Sequence, residues 1–196
     1  ALLAAVFYFL LAPAFTLAPL MVTQHFQAGV WELSILDAAF GIGLVAGGLG
    51  LGIWGGFKNK AITIAAGAIG SGVGTLIFGL APSNMFWLGI AGILIMGIME
   101  SIMGGPFLAI IQSKVAPEMQ GRVMGSTNSL VTAMMPLSML VMSPVAELLG
   151  LRVWYWAGGI ITILLGGVGF FIPAVMNIDK ARVEPLQPAA DLSEGS

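Results

Sequence analysis

Long apolar segments separated by short polar connections make up most of this chain. Six of them reach the length of about 20 residues that a helix needs to cross the hydrocarbon core of a bilayer. We expect helices rather than strands, because spanning strands would be about half as long and would alternate with polar residues. The fold class predicted is therefore an all-α membrane protein, with spans at residues 1–22, 32–56, 61–81, 85–113, 123–149 and 153–177.

The predicted connections are short, and the two ends of the chain differ. "FKNK" (57–60) joins the second and third spans, and "SKVAPEMQGR" (113–122) joins the fourth and fifth. Residues 178–196 are polar and contain prolines, which predicts a disordered tail. The sequence opens inside a hydrophobic segment without an initiator Met, so we expect the chain to be cut from a longer protein.

Composition agrees with a lipid environment and excludes several classes of function. The chain is 58% hydrophobic and 8% charged, with a mean hydropathy of +1.01, whereas soluble domains carry about 25% charged residues. A net charge of −2 gives no reason to expect a nucleic-acid partner. There is no cysteine and one histidine, so we expect no metal and no cofactor. No nucleophile–base pair or phosphate loop is visible, and an enzyme is not expected.

Lysine and arginine are distributed unequally between the two predicted sides of the membrane. Six of them fall on one side and only Arg152 on the other, which predicts that the first side, with both chain ends, faces the cytoplasm. Tryptophans near the opposite ends of the spans are typical of an aromatic belt. The basic side has Lys58, Lys60, Lys114, Arg122, Lys180 and Arg182, and the belt has Trp31, Trp87, Trp154 and Trp156.

Small residues recur at spacings of four along the second span, and two glycines seven residues apart share one helix face in the fourth. Such rows let helix backbones approach closely, so we interpret them first as packing surfaces rather than as ligand sites. The predicted packing glycines are Gly43, Gly47, Gly48 and Gly52 in the second span, with Gly97 and Gly104 in the fourth.

Glu100 is the strongest candidate for chemistry. It lies near the middle of the fourth span, in the apolar stretch "IMGIMESIMGGPF", and ionisable residues at that depth are a functional hypothesis by default. A carboxyl group there suits proton coupling, and an ionised one suits a cationic substrate. Gly97 and Gly104 share its helix face, so a buried structural acid bonded to a neighbouring backbone is an equally open interpretation.

Other polar or adaptable residues are weaker candidates for a proton or substrate site. Asp37 lies about five residues inside its span and is interpreted either as functional or as reaching the membrane interface. Gln112 and Asn128 lie near the inner ends of their spans, where interhelical hydrogen bonds are the alternative to substrate contact. Methionines at 96, 99, 103, 134, 135, 139 and 142 suit bulky apolar ligands or, alternatively, fill space between helices.

The segments 115–130 and 136–160 carry a resemblance to a known family. The loop with Pro117, Glu118, Gly121 and Arg122, the span ending at 143–150 and "LGIWGGFKNK" resemble the C-terminal half of a major facilitator superfamily transporter. The resemblance covers residues 1–177 and is greatest to macrolide-efflux-like bacterial exporters. One departure is that Trp54, Gly55 and Gly56 stand where the superfamily's loop has an acid before its basic cluster.

The resemblance implies a six-helix half with a 3+3 inverted repeat in a bacterial inner membrane. It implies proton-coupled export of amphipathic small molecules by alternating access, with the first, second, fourth and fifth spans lining the cavity. Lys58, Lys60, Gly121 and Arg122 would then lie in cytoplasmic gating loops. The partner would be an N-terminal half or a second copy. The alternative is a truncated, non-transporting membrane protein that binds another membrane protein.

Overall fold

The computed structural model describes residues 16–171, apart from the side chains of 114, 131, 134–135, 141–147 and 170–171. A short helical segment, Ala18–Leu20 continued by a π-helical turn Met21–His25, precedes five long helices. The long helices are α1 (Val30–Trp54), α2 (Lys60–Leu80), α3 (Phe86–Lys114), α4 (Pro117–Leu149) and α5 (Leu151–Phe171).

Local sequence explains where these helices begin and end. The backbone N–H of Gly29 donates to the Glu32 carboxylate at 2.8 Å, at the start of α1. Asn59 caps α2 by accepting from the N–H of Ala61 at 3.0 Å. Gly55 ends α1 in the left-handed region, with φ of 78°. Pro117 starts α4 immediately after a two-residue connection, so the predicted loop 113–122 is mostly helical.

Four of the described helices are long and apolar enough to cross a membrane. They are Val30–Trp54, Lys60–Leu80, Phe86–Ser113 and Leu151–Gly169, and they overlap the predicted second, third, fourth and sixth spans. The predicted fifth span falls within α4, where several side chains are not described. Most of the predicted first span, the end of the sixth and the tail 178–196 lie outside the described residues, so the six-span arrangement stays a prediction.

The long helices pack in a fixed order, α1 on α3, α3 on α2 and α2 on α5. Each of these three interfaces contains a reciprocal pair of glycines whose backbones nearly touch. A Cβ placed on one member would lie about 3 Å or less from backbone atoms of the other helix, so no larger residue fits. The pairs are Gly43 with Gly97, Gly92 with Gly74, and Gly72 with Gly159. In lipid, such close approach is the main source of helix association.

The predicted packing glycines divide into two groups. Gly43, Gly47 and Gly97 lie at the α1–α3 crossing, and a Cβ on Gly48 would lie 3.2 Å from Ser101 Oγ. Gly52 and Gly104 differ from the expectation, because a Cβ on either meets no described atom within 4 Å. Their neighbours Leu51 and Gly105 still meet at this level, so Gly52 and Gly104 lie on faces of α1 and α3 that point away from the contact.

The apolar core lies at the end of the bundle where α2 finishes and α3 and α5 begin. Phe78 of α2 stacks edge-on against Tyr155 with centroids 5.0 Å apart, and Phe26 adds a further aromatic contact at 6.0 Å. Trp154 is 9% exposed and belongs to this core rather than to the predicted belt, whereas Trp31 and Trp87 are 82% and 76% exposed. The buried apolar set is Leu17, Met21, Val22, Phe26, Leu36, Phe78, Ala81, Ile93, Met96, Trp154 and Tyr155.

Three side chains hold the C-terminal carbonyl groups of α2 at the same end. Arg152 donates from Nε to Gly79 O at 2.9 Å and from Nη2 to Leu80 O at 3.1 Å. Trp156 also donates to Gly79 O, at 3.0 Å, and His25 Nε2 donates to Ala81 O at 2.9 Å. These bonds satisfy carbonyls that have no partner within the helix. Arg152 is the one basic residue predicted on this side of the membrane, and it thus stabilises the end of α2.

Replacing Gly47 with alanine is expected to destabilise the bundle. Its Cβ would collide with Ile98 O and lie 2.8 Å from Ile98 Cα, and trimming a side chain cannot relieve a clash with backbone. Overpacking of this kind costs about 1–3 kcal/mol, so the melting temperature in detergent should fall by several degrees. Gly50→Ala is the matched control, because a Cβ on Gly50 meets open space. Equal melting temperatures for the two variants would contradict this packing.

Candidate functional site

Glu100 lies at the midpoint of α3. It is 14 residues from Phe86 and 14 from Lys114, which is about 21 Å from each end of the helix. The side chain is half-buried, and its Oε2 atom is shielded from solvent. The carboxyl group therefore lies close to the level where the middle of a bilayer would be if α3 spans it.

The helix faces on either side of Glu100 are occupied by neighbouring helices. Met99 and Met103 face α2, and Gly97 and Ile98 face α1. At about 100° per residue, Glu100 projects about 70° from the α2-facing row and about 115° from the α1-facing row. Ile102 projects about 160° from Glu100. The carboxyl group and Ile102 thus belong to opposite sides of the layer formed by α1, α2 and α3.

Small residues surround the level of Glu100 on its own side of the layer. The helices α1 and α3 run parallel. Because Gly47 contacts Ile98, residue 48 of α1 lies beside residues 99–101 of α3. Gly48 lies on the Glu100 side and is exposed, and Ser101 Oγ is its nearest described neighbour. Gly104, one turn after Glu100, meets open space among the described residues. Among the described residues, this arrangement leaves open space at Gly104, one turn from the carboxyl group.

Asp37 does not join Glu100. It is exposed and projects from α1 on the same side of the layer. The pairing of Gly47 with Ile98 places Asp37 level with about residue 88 of α3, so the two carboxyl groups are separated by about 18 Å along the helix axes. The structure therefore presents one acid near the helix midpoint and another near the end where α1 begins.

The remaining predicted polar residues cluster at the opposite end of the layer, which we call the basic end. It consists of the C-terminal ends of α1 and α3 and the N-terminal ends of α2 and α4. Lys58, Gly121 and Arg122 are exposed there, and Lys60 is half-buried at the start of α2. Gln112 is exposed, and its described contact is through its backbone carbonyl, not its side chain. Asn128 is exposed and lies 11 residues after the start of α4, about 17 Å along the helix axis.

Gln120 is a residue that the sequence interpretation did not single out. Its Nε2 atom donates to Gln112 O at 3.2 Å and to Val115 O at 3.0 Å. These bonds cap the end of α3 from the first turn of α4 and fix the angle between the two helices. The sequence does not distinguish this glutamine from any other in a loop. Its capping role is therefore seen only in the geometry of the turn between α3 and α4.

The methionines of α3 fill space between helices. Met96 is 1% exposed, and a Cβ on Gly70 would lie 2.5 Å from Met99 Sδ. Met103 packs likewise against Gly67. The methionines are interpreted from the sequence either as contacts for bulky apolar ligands or as space-filling residues. Met96, Met99 and Met103 fill space between helices, whereas Met139 of α4 is exposed. Within residues 16–171, no three His, Asp or Glu side chains come together to hold a metal ion.

Comparison with known proteins decides the family. The sequence profile of the Major Facilitator Superfamily matches residues 1–193. The chain belongs to the Major Facilitator Superfamily. It is thus a multi-pass membrane protein of a transporter family, not an enzyme.

Curated relatives of this superfamily member carry names of efflux proteins. Macrolide efflux protein A of Streptococcus pyogenes is 28% identical over 178 residues, which is 91% of this chain and 44% of the relative. Macrolide efflux protein A of Enterococcus faecalis is 30% identical over 70% of this chain and 43% of its own length. Multidrug efflux pump Tap of Mycolicibacterium fortuitum is 27% identical over 76% and 36%. The chain spans less than half the length of these relatives.

Cysteine labelling distinguishes the two sides of the layer. The chain contains no cysteine, so single cysteines report without interference once any others in the full-length protein are replaced. If the Glu100 side faces an aqueous cavity, a membrane-impermeant, polar maleimide should label Gly104→Cys several-fold faster than Ile102→Cys. Equal labelling rates at the two positions would contradict that assignment.

Proposed function

We propose that this chain is the C-terminal six-helix half of an exporter of amphipathic small molecules. The relatives' names and the share of their length that the chain covers carry this proposal. Drugs such as macrolides are the substrate class those names suggest. The second half is supplied by the same full-length protein, and the substrate lies between the halves near the bilayer midplane. The protein is embedded in the lipid bilayer of a bacterial inner membrane.

The arrangement of α4 supports a partner half. Among the described residues its contact with α3 and α5 is limited, and many of its described side chains are exposed, including Asn128, Leu137 and Leu140. Lipid or another part of the protein must cover such an exposed surface. In this proposal the N-terminal half provides that cover, and a second copy of the chain is the alternative.

Glu100 is the proton-coupling residue of the proposed transporter. A charge near the centre of a membrane protein is costly unless it is solvated or paired. A protonated Glu100 is therefore compatible with a closed, dry cavity, whereas the ionised form favours an open, hydrated one. Alternating access then exchanges a proton for substrate as the two halves rock. The open space at Gly104 allows water and substrate to approach the carboxyl group.

The basic end faces the cytoplasm in this proposal, following the bias of lysine and arginine. Lys58, Lys60, Gly121 and Arg122 then lie at the cytoplasmic entrance, where the loops of the two halves approach each other in the inward-closed state. Both ends of the chain are on this side.

Changing Glu100 to Gln in the full-length protein is expected to abolish proton-driven export. The amide keeps the size of the side chain but cannot exchange a proton, so substrate binding and exchange should persist. Export of a fluorescent macrolide from cells, or its uptake into inverted vesicles, with an imposed pH gradient, measures the first property, and counterflow measures the second. Glu100→Asp should retain partial activity because it still titrates.

Glu32→Gln is the control for this experiment. It removes a carboxylate from α1 yet keeps an oxygen that accepts the Gly29 N–H, so export should be unchanged. Proton-driven export at the normal rate in Glu100→Gln would remove this residue from the coupling mechanism. Loss of counterflow as well would assign it to substrate binding instead.

Copurification tests the identity of the partner. The tagged chain, co-expressed with the remainder of the full-length protein as a separate polypeptide, is expected to retain that polypeptide in mild detergent. Co-expression with a differently tagged second copy should yield no such complex. The opposite pattern would favour a homodimer, and no complex in either case would favour the non-transporting alternative.

A further inference from the structure

An apolar cleft opens on the side of the layer opposite Glu100, at the basic end. Its volume is about 380 Å³, within the range of about 300–1,000 Å³ that small-molecule sites occupy. It lies between the end of α1, the first half of α2 and the second half of α3. Aromatic and aliphatic side chains line it: Trp54, Phe57, Ala66, Ile69, Met99 and Ile102, with Thr63, Gly67 and Gly70.

The connection between α1 and α2 holds the wall of this cleft in place. Gly55 and Gly56 take positive φ values of 78° and 76° and reverse the chain direction. The N–H of Phe57 then donates to Thr63 Oγ1 at 3.0 Å, and the Phe57 ring packs edge-on against Trp54 with centroids 4.7 Å apart. The two rings therefore form a fixed apolar wall rather than a free loop.

The cleft walls remain accessible. Trp54 and Phe57 are 53% and 46% exposed, and Ile53 beside them is 90% exposed. On the floor, Gly67 and Gly70 contribute no side chains, and Met99 fills only part of the space. A long, flexible apolar chain fits such a groove better than a rigid polar ligand does.

Positive charge lies at the mouth of the cleft. Lys58 is exposed and directly follows the wall residue Phe57, and Lys60 starts α2 three residues before Thr63. The N-terminal end of α2 adds a partial positive charge from its helix dipole. The segment 51–63 contains no acidic residue to offset these charges. An occupant that complements the site therefore has an apolar chain and an anionic head.

We propose that this cleft binds one acyl chain of an anionic phospholipid, such as phosphatidylglycerol, with the headgroup phosphate against Lys58 and Lys60. The site needs only the membrane location of the chain. It does not depend on Glu100, on the substrate or on which leaflet the basic end faces. Phospholipid is the ligand in contact with this surface in any bilayer, and the charge selects the anionic class.

Fluorescence quenching of Trp54 by brominated lipids tests this proposal in the full-length protein. The Trp54 signal is the difference between the wild type and Trp54→Phe, which keeps an aromatic wall. The protein is reconstituted in phosphatidylcholine containing increasing fractions of dibromo-phosphatidylglycerol or dibromo-phosphatidylcholine with identical acyl chains. Since a lysine near the membrane surface contributes about fivefold to anionic-lipid binding, half-quenching should need at least about fivefold less of the brominated anionic lipid.

Three variants locate the site. Lys58→Gln should lower the preference for phosphatidylglycerol by about fivefold. Ala66→Phe fills the cleft and should reduce quenching by the anionic lipid to the level of the zwitterionic one. Arg122→Gln removes one charge from the same end, away from the cleft, and should leave the preference intact.

Equal quenching of wild-type Trp54 by the two lipids would overturn the proposal, and so would a preference that Lys58→Gln leaves undiminished. An equal loss of preference in Lys58→Gln and Arg122→Gln would also overturn it, because that result indicates a diffuse surface charge. Lys58 is exposed, so Lys58→Gln should fold. This variant therefore tests the proposal even if Ala66→Phe fails to fold.

Discussion

Backbone contact between glycines determines how the helices of this protein are arranged. Between lipid-embedded helices there is no hydrophobic driving force, so van der Waals contact at short distance must hold the bundle together. At the α1–α3, α3–α2 and α2–α5 interfaces, the helices approach until a single added methyl group would strike a carbonyl or Cα of the neighbour. Contact this close fixes both the separation and the axial register of each pair.

The register in turn produces the two sides of the layer. Because Gly47 lies against Ile98, Gly48 comes beside the turn that carries Glu100, whereas Asp37 lies far from it. The same crossing directs Ile102 and Met99 toward the cleft that Trp54 and Phe57 close at the basic end. One side of the layer therefore presents an acid among small residues, and the other presents an apolar groove with basic residues at its mouth.

The apolar segments predicted α1, α2 and α3 to within about two residues at each end, because apolar length is a local property. Helical periodicity also identified Gly43, Gly47 and Gly97, but it could not tell them from Gly52 and Gly104. A row of glycines predicts a smooth face, whereas contact depends on where two helix axes cross. The sequence also placed Trp154 in the aromatic belt at the membrane–water interface. Its burial could not be predicted, because it depends on packing near the short segment before α1 and Phe78.

The same packing constrains how a transporter half of this kind can move. A shift of α1 along α3 by one residue would bring larger residues of α1 against the backbone of Leu94 and Ile98, where only glycine fits. Sliding within the layer is therefore opposed by steric overlap, and α1, α3, α2 and α5 should move as one rigid body. Limited contact among the described residues leaves α4 outside this body. In the transporter that we propose, access to Glu100 would then change through α4 and the partner half, and protonation of this acid would act on the motion by altering the cost of closing the surface beside it.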